Sequence, residues 1–305
     1  MIHVRTPATT ANMGPGYDCI GMAFQMYNEL WAEEIDGGLV IENKCPETRI
    51  PTDERNRIYT SIQRFFQEIG RPYPFTGLHL IQKDDIPKTR GLGSSAACIV
   101  SGLAAANALS NAGLSKTELA EIAAVLEGHP DNAVPAVFGG MVVTAATEST
   151  AGLEYIKLDA SVMVNDGLRF GVMIPDFSLS TVVARKVLPE QYTRADVVFN
   201  TSRAALMVAA VCTRDYDKLF TAMDDRVHQP YRCTQIPGMS DIFAQAKTLG
   251  TKGMFLSGAG PTLIAVYDDN TVRSGLLACL RTLKEKWILL ELPPDMDGVL
   301  VEAVK

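Results

Sequence analysis

The sequence predicts an α+β fold in two domains, residues 1–160 and 161–305. Three observations predict it. The chain is longer than the ~100–200 residues that one hydrophobic core usually serves. Its second half runs strand, helix, helix, strand, strand, helix, strand, an order that makes a layer of helices on a sheet, of ferredoxin-like type. Between the halves, residues 148–166 are polar and without periodicity, and the break is expected there.

In the first half, residues 2–5, 29–35 and 39–44 read as strands, with Asp36-Gly37-Gly38 as a hairpin turn between the last two. Ile58, Ile62, Phe65, Phe66 and Ile69 recur at helical spacing over residues 57–69, and Gly70 ends the run. Residues 75–83 alternate as a strand. A Gly/Ser loop then opens an Ala-rich helix over 95–112. Ser115 opens another, with Glu118 completing a capping box, that runs to about Glu127. In the second half, strands are expected at 168–174, 254–256, 263–267 and 288–292, and helices at 195–212, 239–249 and 271–286.

Composition excludes several classes. Hydrophobic residues make up 47% and charged residues 21%, which is a globular rather than a disordered balance. A net charge of −7 argues against a nucleic-acid partner and means that an anionic ligand must be held by local donors. Cys19, Cys45, Cys98, Cys212, Cys233 and Cys279 form no CxxC pair and the chain has four histidines, so a structural zinc site is not expected. Scattered cysteines in a chain of this size fit a reducing compartment. The N-terminus lacks a basic-then-apolar leader, and the longest near-apolar run, residues 96–109, is shorter than the ~18–20 that a membrane span needs. A soluble, cytoplasmic protein with no membrane partner is expected.

The segment richest in chemistry is Pro87-Lys88-Thr89-Arg90-Gly91-Leu92-Gly93-Ser94-Ser95-Ala96-Ala97. Two glycines let the backbone curl so that amide N–H groups converge on an anion, and a helix begins at once with its first N–H groups unpaired. Ser94 and Ser95 can donate to phosphate or ligate Mg²⁺, Ala96 and Ala97 leave room for a phosphate chain, and Lys88 and Arg90 bring positive charge. Such a loop can also be no more than a turn and a cap. A dinucleotide fingerprint should follow an apolar strand, whereas this loop follows Asp84-Asp85-Ile86-Pro87. No GxxxxGK[ST] loop is present.

This segment resembles the phosphate-binding motif of the GHMP kinases. Two further stretches resemble that family in the same order: Arg5-Thr6-Pro7-Ala8-Thr9-Thr10-Ala11-Asn12-Met13-Gly14-Pro15-Gly16-Tyr17-Asp18 and Ser257-Gly258-Ala259-Gly260-Pro261-Thr262. The resemblance implies a ribosomal-protein-like N-terminal domain that binds ATP, a ferredoxin-like C-terminal domain, Mg²⁺ as cofactor and assembly as a homodimer. It also implies Ser95 and Glu127 as metal ligands, with Glu121 as the alternative, and Asn56 at the adenine.

The form of the N-terminal motif is similar to that of the members that phosphorylate homoserine. So are Glu127-Gly128-His129-Pro130-Asp131-Asn132, Leu179-Ser180-Thr181-Val182-Val183-Ala184-Arg185 and His228-Gln229-Pro230-Tyr231-Arg232. One departure is Ala133-Val134-Pro135-Ala136, where Val-Ala-Pro-Ala is the family's form. The expected substrate is therefore L-homoserine, phosphorylated by ATP on its side-chain hydroxyl, a step of threonine biosynthesis. Arg185 and Arg232 can fork onto its carboxylate. Asp18 can hold its ammonium with Asn12 beside it, His129 and Thr181 can donate to the remaining oxygens, and Gly258 belongs to the same site. Asn132, Asp131 and Lys88 are the candidates for the catalytic step, with Asp131 read as holding its loop rather than as a general base. Taken singly, each is also an ordinary surface arginine, turn residue or helix-end histidine. Alternatives are a related kinase of another small hydroxy acid, such as mevalonate or shikimate, and a nucleotide-binding relic without catalysis.

Overall fold

The computed structural model describes residues 1–46, 48, 50–146 and 152–304. β1 (Ile2–Asn12) runs antiparallel to β2 (Gly16–Glu34) along its whole length. Both are longer than their apolar alternation suggests, because β1 buries hydroxyls. Thr6 bonds Ser101 (2.8 Å), Thr9 bonds Asn132 (2.8 Å) and Thr10 bonds Ser257 (2.7 Å). A polar strand can be core when its side chains find partners.

β3 (Gly38–Asn43) does not form the hairpin expected with β2. α1 (Arg57–Glu68), capped by Asn56, instead carries the chain over to β4 (Gly77–Asp84), which inserts between them, antiparallel to β2 and parallel to β3. The local turn signal was real, but β4 buries alternate residues on one face and takes the central place, leaving β3 as a half-exposed edge.

α2 (Ser94–Leu109) and α3 (Lys116–Glu127) follow, the latter with the full Ser115/Glu118 capping box. α4 (Pro130–Phe138), β5 (Met141–Ala146) and β6 (Leu153–Leu158) complete the first layer. β5 pairs with β2, and β6 pairs with β5 inside the stretch expected to be a break. Residues 148–151 of that stretch lie outside the described residues. α5 (Ser161–Asn165) leads to the second sheet.

That sheet holds β7 (Arg169–Pro175), then, after the helices α6 (Thr181–Lys186), α7 (Arg194–Thr213), α8 (Leu219–Ala222), α9 (Gln229–Arg232) and α10 (Met239–Thr248), β8 (Gly253–Leu256) and β9 (Leu263–Tyr267). α11 (Asn270–Leu280) and β10 (Trp287–Glu291) close it, in the antiparallel order β10-β7-β9-β8. α11 stops six residues short of the expected 286. The chain must turn there, so that Lys286 O can accept from Asp176 N (2.9 Å) and Trp287 can open β10 beside Pro175. Finally β11 (Leu300–Ala303) crosses back and pairs with β1, so residues from both ends share the first sheet.

The two layers meet in an apolar core that draws on both, with Phe24 and Phe170 edge to face at 5.5 Å beside Met22, Met163, Met207 and Phe255. α7 is a second apolar helix, interrupted by Arg194, Asp196, Asn200 and Arg203. At 20 residues and a mean hydropathy of 1.3, it is long and apolar enough to cross a membrane by length and composition alone. Here it buries Met207, Ala210 and Val211 in that shared core, and Asn200 donates to Asp225 (2.7 Å).

Candidate active site

The loop from Pro87 to Ala97 lies in the seam between the layers and is held from three sides. Thr9 N donates to Leu92 O (3.2 Å), Thr262 N to Arg90 O (3.2 Å) and Leu179 N to Thr89 O (3.1 Å). The Thr10 hydroxyl bonds Ser257, whose own hydroxyl donates to Gly91 O. Gly91 (φ +75°) and Gly93 (φ +67°) take left-handed conformations. A Cβ on Gly93 would sit 1.9 Å from Thr9 Oγ1, and one on Gly91 2.3 Å from Ser257 O, so close approach and conformation both demand glycine. Gly93 caps α2 with no side-chain hydrogen bond, so the first-turn N–H groups of a 16-residue helix are left to a cleft of about 380 Å³.

The charged residues around this loop are not all aimed at the cleft. Arg90 spends its guanidinium on backbone carbonyls of Pro175 (3.0 Å), Asp176 (2.8 Å) and Lys88 (3.4 Å). It fastens the loop to the second layer. Lys88 lies 3.7 Å from Asp84 and lines an adjoining hollow of about 230 Å³ with Asn56 and Cys98. Burial lifts the Asp84 carboxyl above its ordinary range, against the hydrogen bond from Gln82 and the charge of Lys88. Asn56 uses its whole amide. The oxygen accepts from Ile58 N and Tyr59 N at the start of α1, and the nitrogen donates to Pro51 O and Gln82 Oε1. Ser95 and Glu127 are brought together, with the hydroxyl 2.8 Å from Glu127 Oε2, and Arg57 reaches the same oxygen at 3.3 Å. Glu121 is not part of the cleft wall.

Opposite the loop, the expected acceptor residues converge from five segments. Asp18 (φ +56°) is fixed by its N–H donating to Asn12 Oδ1 (2.9 Å), while Asn12 Nδ2 donates to Gly258 O (3.1 Å). Arg185 Nη2 donates to both Asp18 oxygens, at 2.9 and 3.1 Å. His129 Nδ1 donates to Asp131 Oδ1 (2.6 Å), and Asn132 sits between Asp131 and Thr9. Burial and the neighbouring Asp131 charge raise the Asp18 carboxyl, with Arg185 and His129 opposing. Burial works against charge on His129, but the bond to Asp131 and the surrounding carboxylates prevail and raise it. Thr181 opens α6 on the cleft's rim. Arg232 is buried, and donates to Ala184 O (3.2 Å) and Gly258 O (2.9 Å).

Sequence reasoning missed the groups that aim these side chains. His228 is fully buried. Its Nε2 donates to Gly14 O (2.8 Å), which leaves Nδ1 to accept from Arg232 Nη1 (3.2 Å). Burial pushes its pKa down to about 4, in keeping with that neutral tautomer. Asp225 accepts from Asn200 Nδ2 and from the N–H groups of Val227, His228 and Gln229, holding the short turn that presents Arg232. His228 was visible in the motif ending at Arg232. Asn200, Asp225 and Arg57 gave no signal.

An oxygen pair such as Ser95 and Glu127 suits a hard divalent cation, and the uncapped helix start suits a polyphosphate, so the donor set fits Mg·ATP. Comparison with known proteins identifies the family. Residues 56–140 match the GHMP kinases N terminal domain, and residues 207–284 match GHMP kinases C terminal. A homoserine kinase of Clostridium botulinum is 42% identical over the full length of both chains. One of Caldicellulosiruptor saccharolyticus is 43% identical over 100% of this chain and 98% of its own. A crystal structure of homoserine kinase from Cytophaga hutchinsonii superposes with a TM-score of 0.82 at 25% identity, over 99% of this chain and 97% of that one. A mevalonate kinase of L. major, 16% identical with a TM-score of 0.69 over 96% of this chain and 95% of that one, shares the fold. The fold thus leaves the acceptor open, but two matched family domains and full-length relatives above 40% identity place the chain among the homoserine kinases of the GHMP kinase family.

Proposed function

We propose that the protein transfers the γ-phosphoryl group of ATP to the side-chain hydroxyl of L-homoserine, giving O-phospho-L-homoserine. Residues 1–160 supply the phosphate loop and residues 161–305 the two arginines. The observation that carries this reading is the Asp18–Arg185 ion pair. It stands in the cleft half-exposed, with side-chain exposures of 33% and 42%. Such a pair is cheap to open. An amino acid offers an ammonium to Asp18 and a carboxylate to Arg185, so entry of a zwitterion trades one neutral pair for two. Mevalonate or shikimate would satisfy Arg185 and leave Asp18 charged and unpaired.

Arg232, held by carbonyls and by His228, would complete the grip on the carboxylate, and Thr181 and His129 would position the hydroxyl. The first-turn N–H groups of α2 would hold the polyphosphate, with Ser95 and Glu127 as ligands for Mg²⁺. When bound, the metal would neutralise phosphate charge. Transfer through a loose transition state asks mainly for alignment and charge stabilisation. Asp131 already accepts from His129 and Asn132, so it serves as a brace for the acceptor wall. The intact loop and the paired Ser95 and Glu127 favour catalysis over a relic that only binds nucleotide.

The test is ADP release measured with L-homoserine and a panel that includes mevalonate and shikimate. Homoserine should be preferred by at least about 100-fold in kcat/KM, because the site's charged groups go unpaired with the wrong acceptor. Asp18→Asn should raise the homoserine KM roughly 10-fold and leave the ATP KM alone. Equal turnover of mevalonate, or an unaltered homoserine KM in Asp18→Asn, defeats the reading.

A further inference from the structure

The cleft needs a cation for the polyphosphate, and most of those on its walls are already engaged. Arg90 is bonded to carbonyls of the second layer, Arg232 to carbonyls and His228, and Arg185 to Asp18. Arg57 differs. It borders the main cleft, the hollow shared with Lys88 and Asn56, and a further hollow beside Thr60 and Arg64. Its backbone is anchored: Asn56 caps α1 beside it, and Arg57 O accepts from Ser61 Oγ (2.7 Å). Its side chain is 53% exposed, and the carboxylate it touches at 3.3 Å is the one that Ser95 also touches.

We propose that Arg57 is the exchangeable cation of the site. Without nucleotide it neutralises Glu127. Once Glu127 and Ser95 turn their oxygens to a divalent cation, that carboxylate no longer needs a guanidinium, and the new positive charge repels it. Arg57 then swings to the β- and γ-phosphates of the nucleotide, where its fork suits paired phosphate oxygens. This rests on the Mg·ATP reading above and assigns to Arg57 a share of the phosphate charge that sequence alone placed on Lys88 and Arg90.

The test is calorimetric titration of the full chain with a non-hydrolysable ATP analogue, ADP and AMP, each with Mg²⁺ and with EDTA. With Mg²⁺, Arg57→Ala should weaken the triphosphate analogue and ADP roughly 10- to 100-fold, the worth of one or two charge-assisted hydrogen bonds. AMP should change by no more than about 2-fold. In EDTA the loss should shrink, because Arg57 then stays on Glu127. Arg57→Lys should fall between wild type and Ala, and guards against a folding defect in the Ala variant. Equal losses for AMP and the triphosphate, or losses unaffected by EDTA, would show a merely structural residue. If wild type binds the analogue and Arg57→Ala binds it as well, this proposal fails and the kinase reading survives. If wild type binds no nucleotide, both fall.

Discussion

The two walls of the cleft are built on different principles. The wall proposed for the phosphates is main chain: a helix start, two left-handed glycines, and carbonyls tied to three neighbouring segments. The wall proposed for the acceptor is side chain: Asp18, Arg185, His129, Asp131 and Arg232, drawn from separate elements and held by buried polar groups. The difference teaches where each wall is fragile. A main-chain site has no single group to delete but fails if the backbone shifts. A side-chain site tolerates small backbone shifts but fails group by group.

The largest effect should come from breaking the phosphate wall through its backbone. Gly93→Ala places a methyl against Thr9 Oγ1 and asks an L residue to keep φ +67°. The conformation alone costs about 1–2 kcal/mol. Relief of the clash must move the loop or β1, and a displacement of ~1 Å at a reacting centre can cost ~100-fold in rate. Turnover should drop by at least that factor through ATP binding and kcat together, with homoserine binding, read by calorimetry without nucleotide, largely kept. Loss of both bindings would mean that the walls are one unit.

The acceptor wall gives the complementary case. Arg232→Lys keeps the charge and removes the fork, so Lys cannot reach Ala184 O, Gly258 O and His228 together with a carboxylate. The homoserine KM should rise roughly 10- to 100-fold, while ATP affinity stays within about 2-fold. If ATP affinity falls as far as homoserine affinity does, the division between the walls is wrong.

This division also decides what could be read in advance. The proposed phosphate wall is one contiguous stretch whose residue types state their backbone demands, so its left-handed turns and uncapped helix start were legible in Gly91, Gly93 and Ser94-Ser95. The acceptor wall was legible only through its resemblance to a family, because nothing in the sequence says that residues 18, 129, 185 and 232 meet. What remained hidden was placement. Arg90 read as phosphate charge because it sits in the loop, but its guanidinium found carbonyls of the second layer. Arg57, outside the loop, bonds Glu127, the carboxylate that the loop's Ser95 also bonds. Asp36-Gly37-Gly38 signalled a hairpin, and no local signal could report that β4 would insert. β11 is four residues long and mostly exposed, so only its partner β1 defines it.

The smallest predicted effect concerns two histidines that brace the acceptor wall with opposite signs. His228 is neutral in the fold, its pKa depressed by burial to about 4, with Asp225 pulling the other way and Arg232 adding to the depression. The unfolded chain, with an ordinary pKa near ~6.5, binds a proton that the folded chain refuses. Stability from this residue is therefore full above ~6.5 and lost as pH falls below it. His129, raised by Asp131 and the neighbouring carboxylates Glu127 and Asp18 against its burial, does the reverse. Its contribution is full below ~6.5 and fades as pH rises through its folded value. The two partly cancel in wild type. His228→Gln removes one limb and can keep a donor for Gly14 O and an acceptor for Arg232. The stability difference between wild type and variant, from denaturant melts, should shift by about 1 kcal/mol between pH 7 and 5.5, to the disadvantage of wild type at the acid end. Parallel curves would mean that His228 carries its proton in the fold. Arg232 Nη1 and Gly14 O would then have lost the neutral ring that orients them, and the picture of a side-chain wall aimed by buried neutral partners would have to be redrawn.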